Sequence, residues 1–227
     1  MIDSLTEHRC LVMFTKFPER GQVKSRLAKD LGEESAAELY RCFIEDLLAR
    51  LSRGPYRFQM AFYPADKEHE IKEMLGNEFS YIPQAGENLG ERMKNAFIRC
   101  FSEGSQSVVV IGSDSPDLPA WIIEEAFFSM DDHDAVIGPS VDGGYYLIGF
   151  RRETFNPDVF AGPTWGMENV FRQTMTILQE TGALVYLLPV WQDIDRPEDI
   201  AVLIEKSEKT GFTKSKTMLY LRGNGLA

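Results

Sequence analysis

The chain has 227 residues, of which 44% are hydrophobic and 26% charged, and its formal net charge is −11. These values are typical of a globular protein with one large core or two small ones. They argue against a general nucleic-acid binder, because a strongly acidic chain repels polyphosphate. No apolar run approaches the roughly 20 residues that a transmembrane helix needs. Residues 1–9 contain acids and no apolar run, so we expect no signal peptide and a cytoplasmic protein.

Strand and helix patterns alternate along the chain. Short apolar runs rich in β-branched residues predict strands at 10–15, 56–63, 79–83, 107–112, 135–138, 145–150 and 184–190. Apolar residues at helical spacing predict helices at 33–51, 67–75, 88–101, 119–130, 168–181 and 197–208. The alternation predicts one α/β domain over residues 1–209, a three-layer α/β/α sandwich around a mixed, mainly parallel sheet. Residues 210–227 have little periodicity and form a C-terminal tail, either mobile or a packing arm.

A cationic segment follows the first predicted strand. Between Lys16 and Lys29 there are five basic side chains and a single acid, Glu19. Gly21 makes the loop flexible, and a helix that begins near Lys24 would add free backbone N–H groups. Ligands of open α/β sheets bind beyond the carboxyl ends of the strands, so this segment is a candidate pyrophosphate site. A solvated basic loop is the alternative, and neither GxGxxG nor GxxxxGK[ST] is present.

Aspartates follow the middle strand and the last strand of the predicted sheet. Asp114 and Asp117 lie in GSDSPDLP, and Asp193 and Asp195 lie in WQDIDRP. Hard carboxylate oxygens at strand ends suit Mg²⁺ or Mn²⁺ bound to a diphosphate. We therefore interpret Asp114 as a metal ligand, with a second ligand near the C-terminus. Turn formation, and capping of the following helices by Asp117 and Asp195, would explain the same residues without a metal.

The segment PSVDGGYY joins the two strands predicted at 135–138 and 145–150. Its glycines, Gly143 and Gly144, allow the backbone to approach a ligand closely. An ordinary hairpin turn is the alternative, because Asp-Gly is the usual sequence of such turns. The preceding GPSVD differs from the GxSxG motif at its last position, which argues against a serine hydrolase.

Six segments, taken in order, resemble a bacterial family of glycosyltransferases within the nucleotide-diphospho-sugar transferase superfamily, which has the GT-A fold. They are KFPERGQVKSRLA (16–28), GENLGERMKNAF (86–97), GSDSPDLP (112–119), GPSVDGGYYLIGF (138–150), PTWGMENVF (163–171) and LPVWQDIDRPEDI (188–200). As a set they are specific, and they extend over nearly the whole chain before the tail. More distant relatives make molybdopterin guanine dinucleotide or guanylylate phospholactate. Some family members are associated with arsenosugar biosynthesis.

The resemblance implies roles for individual residues. Those implied to contact the base or phosphates of a nucleotide are Lys16, Gly21, Lys24, Arg26, Asn88 and Arg92. Those implied to hold Mg²⁺ or Mn²⁺ are Asp114 and one of the late pair, Asp193 or Asp195. Those expected to border the sugar or acceptor pocket are Asp117, Gly143, Gly144 and Tyr145. Asp142 is the candidate general base.

Together these residues predict a metal-dependent glycosyltransferase with a nucleotide-diphosphate-sugar donor and a small-molecule acceptor. A nucleotidyltransferase that couples a nucleoside triphosphate to a phosphorylated acceptor is the second hypothesis. Its relatives usually open with a glycine-rich loop, which Lys16–Arg26 replaces here. A non-catalytic nucleotide-binding protein is the third. A nucleic-acid partner is not expected, and a homodimer is left open.

Overall fold

The computed structural model describes residues 8–163, 165 and 169–227. The strands are β1 (Arg9–Lys16), β2 (Arg57–Tyr63), β3 (Ser80–Pro83), β4 (Ser107–Ile111), β5 (Ala135–Pro139), β6 (Tyr145–Arg151) and β7 (Val185–Leu187). The helices are α1 (Ser25–Leu31), α2 (Glu33–Leu51), α3 (Glu68–Leu75), α4 (Leu89–Ser102), α5 (Ala120–Ser129), α6 (Val170–Glu180), α7 (Pro197–Thr210) and α8 (Lys216–Gly223). None of the described helices is long and apolar enough to cross a membrane.

The strands form a single sheet in the order β3-β2-β1-β4-β6-β5-β7. Strand β6 runs antiparallel to its neighbours β4 and β5, and the remaining pairs are parallel. The chain winds outward from β1 through β2 to β3 and then returns to place β4 on the other side of β1. This reversal creates a topological switch point, where ligands bind in open α/β sheets. The predicted mixed, mainly parallel sheet is confirmed.

Helices cover both faces of the sheet, which confirms the predicted three layers. Alternate side chains of β1 enter opposite cores, because successive side chains of a strand point to opposite faces. Leu11 and Met13 lie in the core beneath α2 and α5. Val12 and Phe14 lie in the core beneath α4, which is built around Phe97. The sheet is therefore buried on both sides, and its carboxyl edge remains available for a site.

Strand β7 is shorter than the predicted strand at 184–190, and Pro189 explains the difference. Proline has no N–H to donate to a neighbouring strand, so the regular ladder ends before it. Pairing with β5 resumes beyond it, where Trp191 N donates to Pro139 O at 3.0 Å and Ser140 forms a parallel bridge with Trp191. The segment that carries the late aspartates is thus fixed against the end of β5.

The tail predicted at 210–227 forms a short 3₁₀ turn and helix α8, which packs against α2. Both oxygens of the Asp46 carboxylate accept hydrogen bonds of 2.8 Å, from the backbone N–H groups of Lys216 and Thr217. Met218 and Leu221 are fully buried in the core that α2 shares. Of the two alternatives, the structure shows a packing arm.

Candidate functional site

The segments that follow β1, β4 and β7 meet around the ammonium group of Lys24. Its Nζ lies 2.5 Å from Oδ1 of Asp114 and 2.8 Å from Oδ1 of Asp195. Nζ also donates a 2.8 Å hydrogen bond to the carbonyl oxygen of Ile194. A backbone hydrogen bond from Ile194 N to Asp114 O, 2.8 Å long, joins the same two segments. Three of the predicted residues therefore form one cluster at the switch point.

Lys24 has an unusual backbone where the loop after β1 turns into α1. With φ 48° and ψ 44° it is left-handed, and it is the one non-glycine residue with positive φ in the part of the chain that the structure describes. Such a conformation costs on the order of 1–3 kcal/mol, so surrounding contacts must maintain it. The two ion pairs do so, and the Lys24 side chain is only 3% exposed.

The charges of this ion-pair cluster are mutually stabilised. Burial alone would lower the pKa of Lys24, but Asp114 and Asp195 outweigh burial and raise it above its ordinary value. Burial likewise opposes ionisation of Asp195, yet the Lys24 ammonium holds the pKa of that carboxyl below its usual range. The ammonium and the Asp195 carboxylate therefore both stay charged at neutral pH.

Asp193 is a second carboxyl group close to Asp114, and it forms no ion pair with any of the described residues. Its Oδ1 accepts a 2.6 Å hydrogen bond from the hydroxyl of Ser115. Burial first, and then the negative charge of Asp114, raise the pKa of Asp193 to about 7. Two carboxyl groups that repel each other in this way form a place where a cation is favoured.

The pair formed by Asp114 and Asp193 suits a divalent ion by the chemistry of its oxygens. Among the described residues there is no group of three or more His, Cys, Asp or Glu side chains that could hold a metal by itself. Mg²⁺ is commonly bound by one or two carboxylates together with substrate phosphates. The donor set therefore fits an ion whose coordination is completed by a diphosphate.

Capping of α7 is carried out by Asp199 rather than Asp195. The Oδ2 atom of Asp199 accepts from the backbone N–H groups of Asp195, at 3.0 Å, and Arg196, at 2.8 Å. A carboxylate at this position also suits the positive end of the helix dipole. The Asp195 side chain is consequently left to bind Lys24.

Asp117 connects the loop before α5 to the segment after β7. Its Oδ1 accepts a 3.0 Å hydrogen bond from Nε1 of Trp191, and burial raises its pKa. Helix α5 starts at the residue after Pro119 without a side-chain cap, so Asp117 does not cap it. The carboxyl group is 8% exposed as a residue and lies under the site rather than open to it.

A hydroxyl network beneath Lys24 was not predicted from the sequence. The hydroxyl of Tyr40 lies 2.6 Å from Ser113 Oγ and 3.3 Å from Thr15 Oγ1, and it accepts a 3.2 Å hydrogen bond from Lys16 N. The helical spacing of α2 identifies Tyr40 only as a core residue. The ring supports the ammonium of Lys24, whose Nζ lies 5.5 Å from the ring centroid.

The turn between β5 and β6 presents Asp142 at the same edge of the sheet. Its Oδ1 accepts hydrogen bonds from Gly144 N, at 3.0 Å, and from the hydroxyl of Ser140. Gly143 has φ 89°, and its carbonyl accepts a 3.0 Å hydrogen bond from Phe171 N at the start of α6. The predicted hairpin turn exists, and it also fixes an exposed carboxylate whose Oδ2 has no partner within the described residues.

Tyr145 is the first residue of β6, directly after this turn, and it packs against Trp165. Its ring lies edge-on to Trp165, with centroids 6.3 Å apart. Burial raises the pKa of its hydroxyl, which therefore stays protonated. The neighbouring part of the predicted segment PTWGMENVF, at 164 and 166–168, lies outside the described residues.

The cationic segment after β1 contains both paired and unpaired side chains. Arg20 binds Glu33 at 3.3 Å, next to Gly21, which has φ 73°. Lys16 and Arg26 are exposed, and neither has an ion-pair partner among residues 8–163, 165 and 169–227. Both side chains are therefore accessible to an anion, and the charge of Arg26 also helps to lower the pKa of Asp195.

Asn88 and Arg92 follow β3 in the chain and lie near the carboxyl end of β2. Asn88 caps α4 as predicted, and its Oδ1 accepts a 3.0 Å hydrogen bond from Glu91 N. The Arg92 guanidinium stacks on Tyr63, 3.8 Å from the ring centroid, and its Nε donates to the carbonyl of Gly86 at 3.0 Å. The structure does not bring these two residues into contact with the aspartates in its described part.

Gln84 ties the ends of β1 and β2 together and was also missed by the sequence analysis. Its Nε2 donates to the carbonyls of Thr15, at 3.1 Å, and Ala61, at 2.8 Å. Pro83 ends β3 and has no N–H of its own to donate toward β2. A glutamine directly after a strand-ending proline is the one feature of the sequence that could have indicated this role.

Comparison with known proteins places the chain in a family. A family model described as "Uncharacterized protein conserved in bacteria (DUF2064)" matches residues 47–167. A solved structure from Desulfovibrio desulfuricans G20, which carries the provisional name nucleotide-diphospho-sugar transferase, is 39% identical, with 96% of both chains covered and a TM-score of 0.94. No protein of curated function matches the chain in sequence.

More distant structures share the fold. CMP:2-keto-3-deoxy-manno-octonic acid synthetase in complex with CTP is 11% identical, with 88% of this chain and 100% of that chain covered and a TM-score of 0.52. The 4-diphosphocytidyl-2C-methyl-D-erythritol synthase of Anaerococcus prevotii DSM 20548 is 11% identical, with 89% and 99% covered and a TM-score of 0.56. The chain therefore belongs to the bacterial DUF2064 family and has the nucleotide-diphospho-sugar transferase fold.

Proposed function

We propose that the protein is a metal-dependent glycosyltransferase that takes a nucleotide-diphosphate-sugar as donor. The observation that carries the proposal is the pair of carboxyl groups of Asp114 and Asp193 at the switch point of the sheet, with the pKa of Asp193 raised to about 7. Lys16 and Arg26, which lack ion-pair partners among the described residues, lie on the segment that leads into this site. A diphosphate that brings a divalent ion matches both features.

The charges at the site suit departure of a nucleoside diphosphate. A divalent ion bound by Asp114 and Asp193 would neutralise negative charge that develops on the leaving diphosphate. Lys16 and Arg26 supply positive charge from the β1–α1 segment. Such fixed charges stabilise a transition state because they need no reorganisation at the moment of reaction.

Asp142 is the residue that we assign as general base toward the acceptor. Ser140 and Gly144 hold its Oδ1, so that Oδ2 remains to accept a proton from an acceptor hydroxyl. The charge of Asp142 also contributes to the raised pKa of Asp193, which supports a position close to the metal site. An inverting transfer needs a base beside the acceptor, and the exposed carboxylate of Asp142 supports this assignment.

The β1–α1 segment favours glycosyl over nucleotidyl transfer. Residues 16–25 contain one glycine, Gly21, and a buried lysine rather than a glycine-rich loop around a triphosphate. The 39% identical structure carries a nucleotide-diphospho-sugar transferase name, which agrees. Nucleotidyl transfer is the second candidate, because one distant neighbour by fold was solved with CTP.

Product analysis separates the candidates. The protein is incubated with Mn²⁺ and either nucleotide-diphosphate-sugars or nucleoside triphosphates with sugar phosphates, and phosphorus products are followed by ³¹P NMR. A glycosyltransferase releases a nucleoside diphosphate from one donor, slowly to water when no acceptor is present. Pyrophosphate released from a triphosphate would instead establish nucleotidyl transfer. Binding without any product would indicate a non-catalytic nucleotide-binding protein.

The role of Asp142 gives a direct prediction. Asp142→Asn keeps an oxygen for Ser140 and Gly144 but removes the base, so donor turnover is expected to fall about 100-fold or more. Donor affinity, measured by calorimetry, is expected to change less than about threefold. Glu153→Gln, at an exposed position on the opposite edge, serves as the matched control with unchanged turnover. Full turnover in Asp142→Asn would remove Asp142 from the reaction.

A further inference from the structure

We propose that Lys24 is a positioning residue, a fixed internal counter-ion for Asp114 and Asp195, and that it does not bind the phosphates. The inference rests on the proposed metal and diphosphate site, and it assigns the cationic residues of that site to different tasks. The resemblance implies a phosphate contact for Lys24. In the structure, however, the Lys24 ammonium contacts the carboxylates of Asp114 and Asp195 and the carbonyl of Ile194.

All three protons of the ammonium already have acceptors. They are Oδ1 of Asp114, Oδ1 of Asp195 and the carbonyl oxygen of Ile194, at 2.5, 2.8 and 2.8 Å from Nζ. A lysine ammonium has three donors and no acceptor, so this set is complete. A phosphate could be bound by Nζ only if one of these three contacts were broken.

The surroundings of Nζ also keep it in place. The rings of Tyr40 and Phe43 lie 5.5 and 5.4 Å from Nζ at their centroids, and both rings are buried. A cation against aromatic faces is stabilised most where water is excluded. Withdrawal of the 3% exposed Lys24 side chain would expose this space and leave two carboxylates without their counter-ion.

The ion pairs of Lys24 with Asp114 and Asp195 limit which carboxylate oxygens can bind a divalent ion. Lys24 contacts Oδ1 of both Asp114 and Asp195, and we assign the divalent ion to the other oxygen of Asp114 together with the carboxyl group of Asp193. The contact of Lys24 with Asp195 also connects the β1–α1 loop to the segment before α7, across 171 positions of sequence. Phosphate binding then falls to the exposed cations Lys16 and Arg26.

The first test observes the ammonium in the unmutated protein. Lysine ¹⁵Nζ NMR is recorded without ligand and then with Mg²⁺ and inorganic pyrophosphate, and the Lys24 resonance is assigned with Lys24→Met. We expect slow proton exchange at Lys24 in both states and no ¹⁵N–³¹P coupling. Fast exchange like that of surface lysines, or a coupling to pyrophosphate phosphorus, would overturn the proposal.

The second test measures Mn²⁺ affinity without nucleotide by electron paramagnetic resonance. Lys24→Met keeps the aliphatic stem but removes the charge beside Asp114, so Mn²⁺ is expected to bind at least about tenfold more tightly. Lys24→Arg, which keeps the charge, and Lys209→Met, at an exposed position near the end of α7, are expected to stay within about threefold of the unmutated protein. Unchanged or weaker Mn²⁺ binding in Lys24→Met contradicts a counter-ion role.

Failure of the proposed function can be recognised separately. If pyrophosphate leaves every ³¹P and lysine resonance unchanged, the phosphate site is wrong. The exchange rate of the Lys24 ammonium and the Mn²⁺ affinities still decide the role of Lys24 in that case, since both are measured in the absence of nucleotide.

Discussion

Asp193 and Asp195 are separated by one residue, and the fold gives their carboxyl groups opposite pKa shifts. Asp195 faces the Lys24 ammonium, which lowers its pKa. Asp193 lies half-buried beside Asp114, and partial loss of solvent together with the Asp114 charge raises its pKa to about 7. The difference comes from the partner that each side chain meets and not from residue type. At the scale of single residues, one aspartate is thus a member of an ion pair, and the other is the one that we propose binds a cation.

The raised pKa of Asp193 predicts how stability depends on pH in metal-free protein. The folded state holds a proton that the unfolded state releases near pH 4, so stability should fall as pH rises from about 4 to 7. We expect a loss of roughly 2–3 kcal/mol between pH 5 and 8, measured by urea unfolding with a chelator present. Asp193→Asn should remove this loss, whereas Asp132→Asn, at an exposed position, should retain it. An equal slope in both variants would refute the assignment.

Part of the site could be predicted from the sequence because strand ends are local features. Asp114 directly follows a strand whose apolar run is unmistakable, and Asn88 has the spacing of a helix cap. The ion pair of Lys24 with Asp195 could not be predicted, since the two residues are 171 positions apart. The hydrogen bonds of the Tyr40 hydroxyl could not be predicted either, because the helical pattern accounts only for burial of the ring.

At the scale of elements, α8 is joined to α2 by a capping carboxylate, by the ion pair of Lys216 with Glu45 and by apolar contacts. The N-terminal N–H groups of a helix lack partners within the helix, and Asp46 satisfies two of them from α2. Helix α8 in turn buries Met218 and Leu221 against α2. One buried aspartate therefore connects the C-terminal arm with the body of the fold.

This contact predicts the behaviour of Asp46 variants. Asp46→Ala should reduce the free energy of unfolding by about 2 kcal/mol, because two helix N–H groups lose a charged acceptor. Asp46→Asn keeps one acceptor oxygen and should lose about half as much. Amide exchange over residues 216–223 should rise in both variants and most in Asp46→Ala. Unchanged exchange in α8 would show that the other contacts to α2, apolar and polar, are enough to hold the arm.

The boundaries of the predicted elements agree with the structure to within a few residues except where proline intervened, and α8 has no counterpart among the predicted helices. The run at 184–190 predicts a long last strand by its apolar character, but Pro189 removes a donor and β7 ends at Leu187. Pairing resumes at Trp191 through a contact with Ser140 that no local pattern contains. Short-range periodicity predicts that an element exists. Where a strand pairs and where pairing stops depend on the hydrogen-bonding groups of the neighbouring strand.

At the scale of the whole molecule, cations and carboxylates lie together at the carboxyl edge of the sheet of an acidic chain. The net charge is −11, yet the β1–α1 segment is basic and carries Lys16 and Arg26, which form no ion pair with any residue that the structure describes. The three-layer fold places this segment beside Asp114 because β1 and β4 are neighbours at the switch point. Alternation of strands and helices sufficed to predict that architecture, and the position of the site follows from it.

The central claim is that Asp114 and a divalent ion together hold a nucleoside diphosphate. Thermal unfolding of the unmutated protein and of Asp114→Ala, with each of four nucleoside diphosphates and with or without Mn²⁺, tests this claim most directly. A ligand at about 100 times its Kd should raise Tm by about 5 °C or more, only with Mn²⁺ and only in the unmutated protein. The same Mn²⁺-dependent rise in Asp114→Ala would contradict the account.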